Sequence, residues 1–370
     1  MAMKLRRSRS RSRRMFHKKS VWPRVLGWIL LVAVCAGAGI GVVHWSDNAS
    51  ANNSTTAPSG VTGTTGASTA APTTGTTPPP APTVEKMAFV SLASLRDAAA
   101  RPAMLQELRQ NGYTAVLFDL KDENGALHYA FTGELAKKAK ATADTALTKE
   151  ELDALVKDCR TAQLEPVARL FAFKDKTATS KLKSGRINWS GDKVTLWLDA
   201  AASKGGKSWL NPYAEEAQSY ITELATELTT LGFDTLVLDG VQFPEKTFEA
   251  YFGTKDQTAE SYLEVLSRFV KTLNTKLADT RLLLAADWEA VAGVNTAVYG
   301  GNPLSFGADG VCPMLAADSA KTATQVKTEW EQMVTRLEFF EGQKPTMMPW
   351  LPAALATVLP KDAPKVLPHS

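Results

Sequence analysis

The sequence predicts an α/β fold for residues 86–370, a (β/α)8 TIM-like barrel. Short apolar runs rich in β-branched residues alternate there with segments of helical period, and this alternation is typical of a parallel sheet covered by helices. Seven strand-like runs in about 285 residues fit a closed barrel better than an open doubly wound sheet. No clear eighth strand follows, since residues 365–367 are a poor candidate, so the sequence leaves open whether the barrel is complete.

The predicted strands are short runs that are mostly apolar. They lie at residues 88–92, 115–120, 167–173, 235–239, 281–286, 310–315 and 346–351. Thr148 and Glu151 form the pattern of a capping box, which predicts a helix from that point. Asn211 and Pro212 are read as the N-cap and first residue of the next helix, and Gly232 ends it. Helical spacing predicts two further helices, at 263–277 and 326–337.

The N-terminal region is predicted to anchor the chain in a membrane. Residues 1–24 hold ten Lys and Arg and no Asp or Glu, and residues 25–43 contain no charged side chain. Nineteen residues span roughly 28 Å as a helix, close to the thickness of the hydrocarbon layer. We therefore expect a single transmembrane helix at 25–45, with the basic tail in the cytoplasm beside anionic lipid and the C-terminal domain outside.

Two other interpretations of this region stay open. A cleaved signal peptide is one, because small residues follow the apolar run around Cys35. An RNA-binding tract is the other, because Arg and Ser alternate between Arg7 and Arg14. Residues 46–85 are mostly Thr, Ala, Ser, Gly and Pro, with little to bury. They are predicted to form a disordered linker that holds the domain away from the bilayer.

Composition excludes several classes of protein. The net charge is +4, but without the tail the chain has 32 Lys and Arg against 38 Asp and Glu, about −6. The predicted domain is therefore mildly acidic, and no nucleic-acid partner is expected. No glycine-rich nucleotide motif is present, and His369 is the only histidine in the last 240 residues. The three cysteines are expected as core thiols, and neither a metal nor a cofactor is expected.

Polar side chains lie at or just after the ends of four predicted strands. In a barrel of this kind, the carboxyl ends of the strands carry the functional site. The candidates are Asp119, Lys121 and Asp122 after the second strand, Arg169, Lys174 and Asp175 on or after the third, Asp239 and Gln242 after the fourth, and Asp287 and Glu289 after the fifth.

Carboxylates on neighbouring strands predict glycoside hydrolysis. Adjacent strands are about 4.8 Å apart, so Asp239 and either Asp287 or Glu289 are expected within roughly 5–10 Å. Glycosidases use one protonated carboxyl group to assist the leaving group and one ionised group to attack or to activate water. Four aromatic residues are predicted as platforms for sugar rings: Trp209, Tyr213, Trp288 and Trp350. Asp122 has a second interpretation as a turn cap, and Lys174 with Asp175 as a solvated ion pair.

Four stretches resemble a known family, the glycoside-hydrolase-like barrel domain of bacterial surface proteins. They are AVLFDLKDENGALHY (115–129), PVARLFAFKD (166–175), SWLNPYAEEAQSYI (208–221) and GFDTLVLDGVQFP (232–244). The likeness extends over residues 86–353. It implies a barrel related in architecture to the alpha-amylase group, with an acidic site and no obligatory cofactor.

The resemblance also implies individual roles. Asp239 holds the place of the nucleophile, and Asp287 or Glu289 that of the acid/base. The chain departs from the family pattern after Asp239, because Gly240 and Gln242 stand where the family has Tyr and Arg. Two hypotheses follow: a glycoside hydrolase acting on envelope or environmental polysaccharide, and a degenerate barrel that binds glycan or serves as an envelope scaffold.

Overall fold

Eight parallel strands form the central sheet in the computed structural model, which describes residues 85–315, 321–341 and 345–369. The strands lie side by side in their order along the chain. They are β1 (Lys86–Val90), β2 (Ala115–Lys121), β3 (Glu165–Phe171), β4 (Thr235–Asp239), β5 (Arg281–Asp287), β6 (Gly310–Met314), β7 (Thr346–Met347) and β8 (Lys365–His369). The predicted α/β class with a parallel sheet is confirmed.

The sheet closes on itself. β8 pairs in parallel with β1, from Lys86 opposite Lys365 to Val90 opposite His369. The other side of β8 bonds to the segment after β7, where the Val366 amide donates to Pro349 O at 2.9 Å. Trp350 in that segment forms parallel bridges to both β6 and β8. The barrel is therefore complete, and the view of residues 365–367 as a poor candidate was wrong: they belong to β8, the eighth strand, which is recognisable only through its pairing with β1.

Eight α-helices occur in the described residues. They are α1 (Leu92–Arg96), α2 (Arg101–Gln110), α3 (Glu134–Ala139), α4 (Lys149–Thr161), α5 (Glu215–Thr230), α6 (Tyr262–Lys276), α7 (Trp288–Val291) and α8 (Ala323–Glu338). The capping box of Thr148 and Glu151 is confirmed at the start of α4. The predicted start of α5 was wrong, because Ala214 is its N-cap. Asn211 Oδ1 instead accepts from the Tyr213 amide at 3.1 Å, which holds a turn before the helix.

Small additional strands extend the carboxyl-terminal side of the barrel. Leu127–Tyr129 pairs with β2 and with Thr142–Leu147. Asn188–Trp189 pairs with Ala250–Tyr251 to form a two-stranded sheet, here called the rim ladder. Its strands belong to the segments that follow β3 and β4, so the rim ladder is on the side of the barrel where the strands end.

The barrel interior is an apolar layer of alternate strand residues. Side chains on a strand point alternately to its two faces, so one set fills the barrel and the other packs under the helices. In the described part of the chain, the interior set has ten residues, all of them buried. It comprises Met87, Ala115, Leu117, Val167, Val237, Leu283, Ala285, Cys312, Met348 and Val366. Cys159 and Cys312 are buried free thiols, as predicted.

The predicted basic tail, the transmembrane helix at 25–45 and the linker up to residue 84 lie outside the described residues. Among the helices that the structure does describe, none has the length and apolar character of a membrane span.

Candidate active site

Among the side chains that continue the barrel interior at its carboxyl end, six are polar or aromatic. Because side chains alternate along a strand, a residue two positions beyond an interior residue lies on the same face. Each of the six stands two positions beyond a member of the apolar interior layer. They are Phe89, Asp119, Arg169, Asp239, Asp287 and Trp350. The closed sheet thus brings polar groups from β2, β3, β4 and β5 to one end of the barrel.

Arg169 connects two of the predicted carboxylates. Its Nε donates to Asp119 Oδ1 at 2.5 Å and its Nη2 to Asp119 Oδ2 at 2.9 Å, a bidentate ion pair between β3 and β2. Its Nη1 donates to Asp239 Oδ2 at 3.3 Å. Burial alone would lower the pKa of Arg169, but the hydrogen bonds and charges of Asp119 and Asp239 outweigh it and raise the pKa. The guanidinium group is therefore a permanent cation at the centre of the site.

Three aromatic rings surround this cation. The guanidinium carbon of Arg169 lies 4.8 Å from the centroids of the Phe89 and Phe171 rings and 4.7 Å from that of Trp350. A cation over an aromatic face is stabilised by the ring quadrupole. Trp350, predicted as a sugar platform, thus lies against Phe89 and Arg169. These ring contacts hold the Arg169 side chain in place in addition to its ion pairs with Asp119 and Asp239.

Asp239 is buried at the end of β4, with 6% of its surface exposed. Its Oδ1 accepts a hydrogen bond from the Gly240 amide at 2.6 Å, and its Oδ2 accepts from Arg169. Burial disfavours the charged form and raises the pKa of Asp239 to about 6, although Arg169 and the Gly240 amide oppose this shift. The carboxyl group is consequently ionised above about pH 6 and has a cation beside it.

The departure from the family pattern after Asp239 has a local structural reason. Gly240 has φ +62, in the left-handed region that side chains other than glycine rarely adopt. A tyrosine would be strained in this conformation, so the glycine suits this turn. Arg169, one strand away, supplies a guanidinium group to Asp239 where Gln242 supplies none.

Asp287 lies at the end of β5, the strand next to β4. Its amide donates to the hydroxyl of Tyr299 at 3.2 Å, and that hydroxyl donates to Gln242 Oε1 at 3.0 Å. Tyr299 is buried, and burial followed by the charge of Asp287 raises its pKa, with a smaller contribution from Asp239. The neutral Tyr299 hydroxyl therefore connects the segments that carry Gln242 and Asp287.

The surroundings of Asp287 are acidic. Its side chain is open to solvent on one side, and its partial burial raises its pKa, followed by the charges of Glu245 and Glu289. Lys174 acts weakly in the opposite direction. Glu289, the alternative acid/base, lies in the first turn of the short helix α7, and its Oε2 accepts from Asn295 at 3.4 Å. The raised pKa of Asp287 favours that residue as the proton donor.

Lys121 and Asp175 do not belong to the open site, which corrects their prediction as substrate-binding residues. Lys121 Nζ lies 2.9 Å from Asp175 Oδ2, and both side chains are 0% exposed. Lys121 also donates to Phe171 O at 2.6 Å, and Asp175 Oδ1 accepts from the Ala178 amide at 2.7 Å. A substrate cannot reach a fully buried pair, so its role is structural.

Asp122 and Lys174 make local contacts at the rim of the site. Asp122 Oδ1 accepts from the amides of Asn124 and Ala126, which confirms its interpretation as a turn cap. Burial would raise the pKa of Asp122, but the His128 hydrogen bond and these amides lower it to about 2. Lys174 pairs with Glu123 at 2.9 Å rather than with Asp175.

The other aromatic residues predicted as sugar platforms are only partly accessible. Trp209 is 5% exposed, and its Nε1 donates to Asp199 Oδ2 at 2.9 Å. The hydroxyl of Tyr213 donates to a backbone carbonyl at 2.7 Å, and its ring packs among other aromatic rings. Trp288 is half-buried, with Lys321 Nζ 5.2 Å from its ring centroid. None of these three rings lies against the Arg169 guanidinium group as the Trp350 ring does.

Two pockets adjoin the strand-end residues. One, of about 420 Å³, is bordered by Phe89, Asp119 and His128 at the ends of β1 and β2. The other, of about 330 Å³, is bordered by Gln242 and Glu245 after β4. Both volumes fall in or near the range of small-ligand sites. Asp119 thus borders the first pocket and Gln242 the second, whereas Asp239 and Asp287 border neither of the two.

Two residues of this site were not predicted from the sequence. Glu245 and Tyr299 lie in irregular segments after β4 and β5, where no period indicates which side chains face the barrel. The only sequence feature that could have indicated a role in the site is their position in the segments that follow β4 and β5. In the described residues, no group of His, Cys, Asp and Glu is arranged to hold a metal ion.

The fold is a closed parallel α/β barrel with carboxylates at the ends of neighbouring strands. The comparison with family models identifies the family. Residues 88–359 match the sequence model of a family described as "Putative glycosyl hydrolase domain". This is most of the chain, so the chain belongs to that family. The resemblance noted from the four sequence stretches is confirmed. No curated protein matches the chain.

Solved structures with a similar fold include glycoside hydrolases. A hypothetical protein from Ruminiclostridium thermocellum is 19% identical, with a TM-score of 0.46 over 53% of this chain and 96% of that one. A GH20 β-N-acetylhexosaminidase from Streptomyces coelicolor is 11% identical, with a TM-score of 0.41 over 71% of this chain and 47% of its own length. A family GH13_31 enzyme is 13% identical, with a TM-score of 0.47 over 77% and 66%. The chain therefore spans about half of the Streptomyces enzyme.

Proposed function

We propose that the barrel hydrolyses glycosidic bonds in an envelope or environmental polysaccharide, using Asp239 and Asp287. The observation that carries the proposal is the placement of these two carboxyl groups at the ends of adjacent strands, where both have raised pKa values and both raise the pKa of Tyr299. Membership of a glycosyl hydrolase domain family supports a glycan as the substrate.

The contacts of each carboxyl group suggest its role. Asp239 is next to the Arg169 guanidinium and the Gly240 amide, which stabilise a carboxylate, so Asp239 attacks the anomeric carbon or activates a water molecule. Asp287 has Glu245 and Glu289 nearby, which stabilise its protonated form. A bound sugar would bury Asp287 further and raise its pKa again, so Asp287 protonates the leaving oxygen.

The pH dependence of turnover tests this assignment. Asp239 must be ionised, with a pKa of about 6, and Asp287 must be protonated, so kcat/KM should follow a bell-shaped pH profile with one limb near pH 6. The measurement is the release of reducing ends by the full chain from a broad panel of polysaccharides, repeated from pH 4 to 8 with the best substrate. A rate that does not change between pH 4 and 8 would contradict the role of Asp239. Failure to cleave any member of the panel would refute the hydrolase.

A second candidate is a barrel that binds glycan without cleaving it. The small exposure of Asp239 and its contact with Arg169 favour this alternative, because a nucleophile must reach the sugar. The same panel separates the two functions: a binding module retains glycan on an affinity matrix and releases no reducing ends.

We also propose that residues 25–45 anchor the chain in a membrane, with the barrel on the outer side. The support is the uncharged run from 25 to 43 and the basic residues that precede it. The full chain should remain in the membrane fraction after alkaline carbonate washing, and external protease should digest the barrel in intact cells. Deletion of residues 25–45 should release the chain. Recovery of the full chain in the carbonate supernatant would contradict the anchor.

A further inference from the structure

A pocket of about 820 Å³ lies beside the rim ladder, apart from the strand-end carboxylates. It is formed by the segment before α5, the first turns of α5 and the segment after β4. Asp119, Arg169, Asp239 and Asp287 do not border it. The residues that matter for its chemistry are Lys183, Arg186, Asn188, Tyr251, Phe252 and Gln257.

The rim ladder presents one amide and one aromatic ring to this pocket. Asn188 and Tyr251 are directly opposite each other across the two strands, so their side chains share a face. Tyr251 is half-buried, and Lys193 Nζ lies 5.3 Å from its ring centroid. Phe252 borders the pocket next to Tyr251. An aromatic ring beside an amide can hold the apolar face of a sugar ring and its hydroxyl groups at the same time.

The same part of the chain exposes other large aromatic side chains. Trp189, on the first strand of the rim ladder, is 40% exposed, and Phe248, just before the second strand, is 81% exposed. Glu249 between them in space has φ +56, a strained conformation for a residue with a side chain. Its carboxylate accepts from Trp189 Nε1 at 3.1 Å, which fixes the indole at the surface. Neither ring borders the pocket, and Trp189 lies on the face of the rim ladder opposite to Asn188 and Tyr251, so this apolar surface is separate from the pocket.

The charges around the pocket indicate a neutral ligand. Two basic residues, Lys183 and Arg186, and two acidic residues, Glu215 and Glu216, border the same space, and Glu216 is also paired with Lys138 outside it. Arg186 is already bonded through Nε to Asn188 Oδ1 and through Nη1 and Nη2 to backbone carbonyls, so it is not free to hold an anion, and the Nδ2 group of Asn188 is the part of that amide left for a ligand. The polar groups that remain are mainly hydroxyls and amides, which suit sugar hydroxyl groups.

We propose that this pocket is an accessory binding site for a neutral oligosaccharide, which stacks on Tyr251 and hydrogen-bonds to Asn188. The site is separate from the proposed hydrolase centre and holds a glycan chain near the end of the barrel where the strands finish. It requires neither the ionisation of Asp239 nor turnover.

Calorimetric titration of the full chain carrying Asp239→Asn tests the proposal without consuming the ligand. The probes are tetrasaccharides of β-1,4-linked glucose, β-1,4-linked N-acetylglucosamine and α-1,4-linked glucose, in a detergent that contains no sugar. We expect saturable binding of at least one probe, weakened about tenfold or more by Tyr251→Ala and also by Asn188→Ala. Tyr251→Phe keeps the ring and should bind as the parent does.

Phe339→Ala is the matched control, because Phe339 is 77% exposed at the end of α8, away from the rim ladder. It should leave the affinity unchanged, and equal melting temperatures should show that each variant is folded. The proposal is overturned if no probe binds at millimolar concentration, or if Tyr251→Ala and Asn188→Ala bind as tightly as the parent. A chain that binds through Tyr251 but cleaves nothing with Asp239 intact would refute the hydrolase and leave this site standing.

Discussion

Replacing Lys121 with methionine is expected to reduce the free energy of unfolding by about 3–5 kcal/mol, the range observed when one partner of a buried ion pair is removed. Lys121 is fully buried, and its ammonium group lies 2.9 Å from Asp175. Methionine has a similar length but no charge, so the packing changes little while Asp175 loses its counter-ion. Two carbonyl acceptors, Phe171 O and Ala172 O, also lose their donor.

The measurement is urea unfolding of the full chain followed by tryptophan fluorescence. Lys149→Met is the matched control, because Lys149 forms an exposed ion pair with Asp153, and such pairs contribute about 0.3–0.5 kcal/mol. Adding Asp175→Asn to Lys121→Met should recover much of the loss, because asparagine keeps an acceptor for the Ala178 amide and removes the unpaired charge. A single Lys121→Met variant as stable as Lys149→Met would show that the pair contributes nothing.

The same pair explains why a short motif in β2 was only partly interpretable from the sequence. Three residues of the run from Asp119 to Gly125, namely Asp119, Lys121 and Asp122, were predicted as site residues at the end of one strand. Only Asp119 reaches the site. The strand register shifts between Asp119 and Lys121, so Lys121 turns to Asp175 instead of continuing along the interior face. Gly125 leaves room for Asp175, since a Cβ there would lie 1.9 Å from Asp175 Oδ1.

Regular alternation, by contrast, was sufficient to place two candidate carboxylates at one end of the barrel. Asp239 and Asp287 each follow an interior residue by two positions, and their strands are consecutive in the chain, so neighbouring positions at one end of the barrel could be predicted. The contact of Arg169 with both Asp119 and Asp239 depends on strand register, which the sequence does not reveal. Tyr299 lies in an irregular segment, and such segments carry no periodic pattern.

Replacing Asp239 with asparagine is expected to reduce turnover at least about 10³-fold, equivalent to about 4 kcal/mol of transition-state stabilisation. The asparagine oxygen can still accept from the Gly240 amide, and Arg169 keeps its bidentate pair with Asp119. Stability should not fall, because a folded-state pKa above the ordinary value means that folding disfavours the ionised form at neutral pH. The melting temperature checks this second expectation, and Asp234→Asn, at the opposite end of β4, is the control for both.

The comparison with Asp287→Asn separates the two roles. If Asp287 protonates the leaving oxygen, its asparagine variant should lose turnover of natural glycans but stay within about tenfold of the parent on an aryl glycoside whose phenolate departs without protonation. Asp239→Asn should be inactive on both substrates, because attack on the anomeric carbon is needed in either case. Rescue of Asp239→Asn by the activated substrate would exchange the roles. Since Arg169 and the Gly240 amide both stabilise the Asp239 carboxylate, whereas Asp287 is flanked by Glu245 and Glu289, we expect the activated substrate to rescue Asp287→Asn alone.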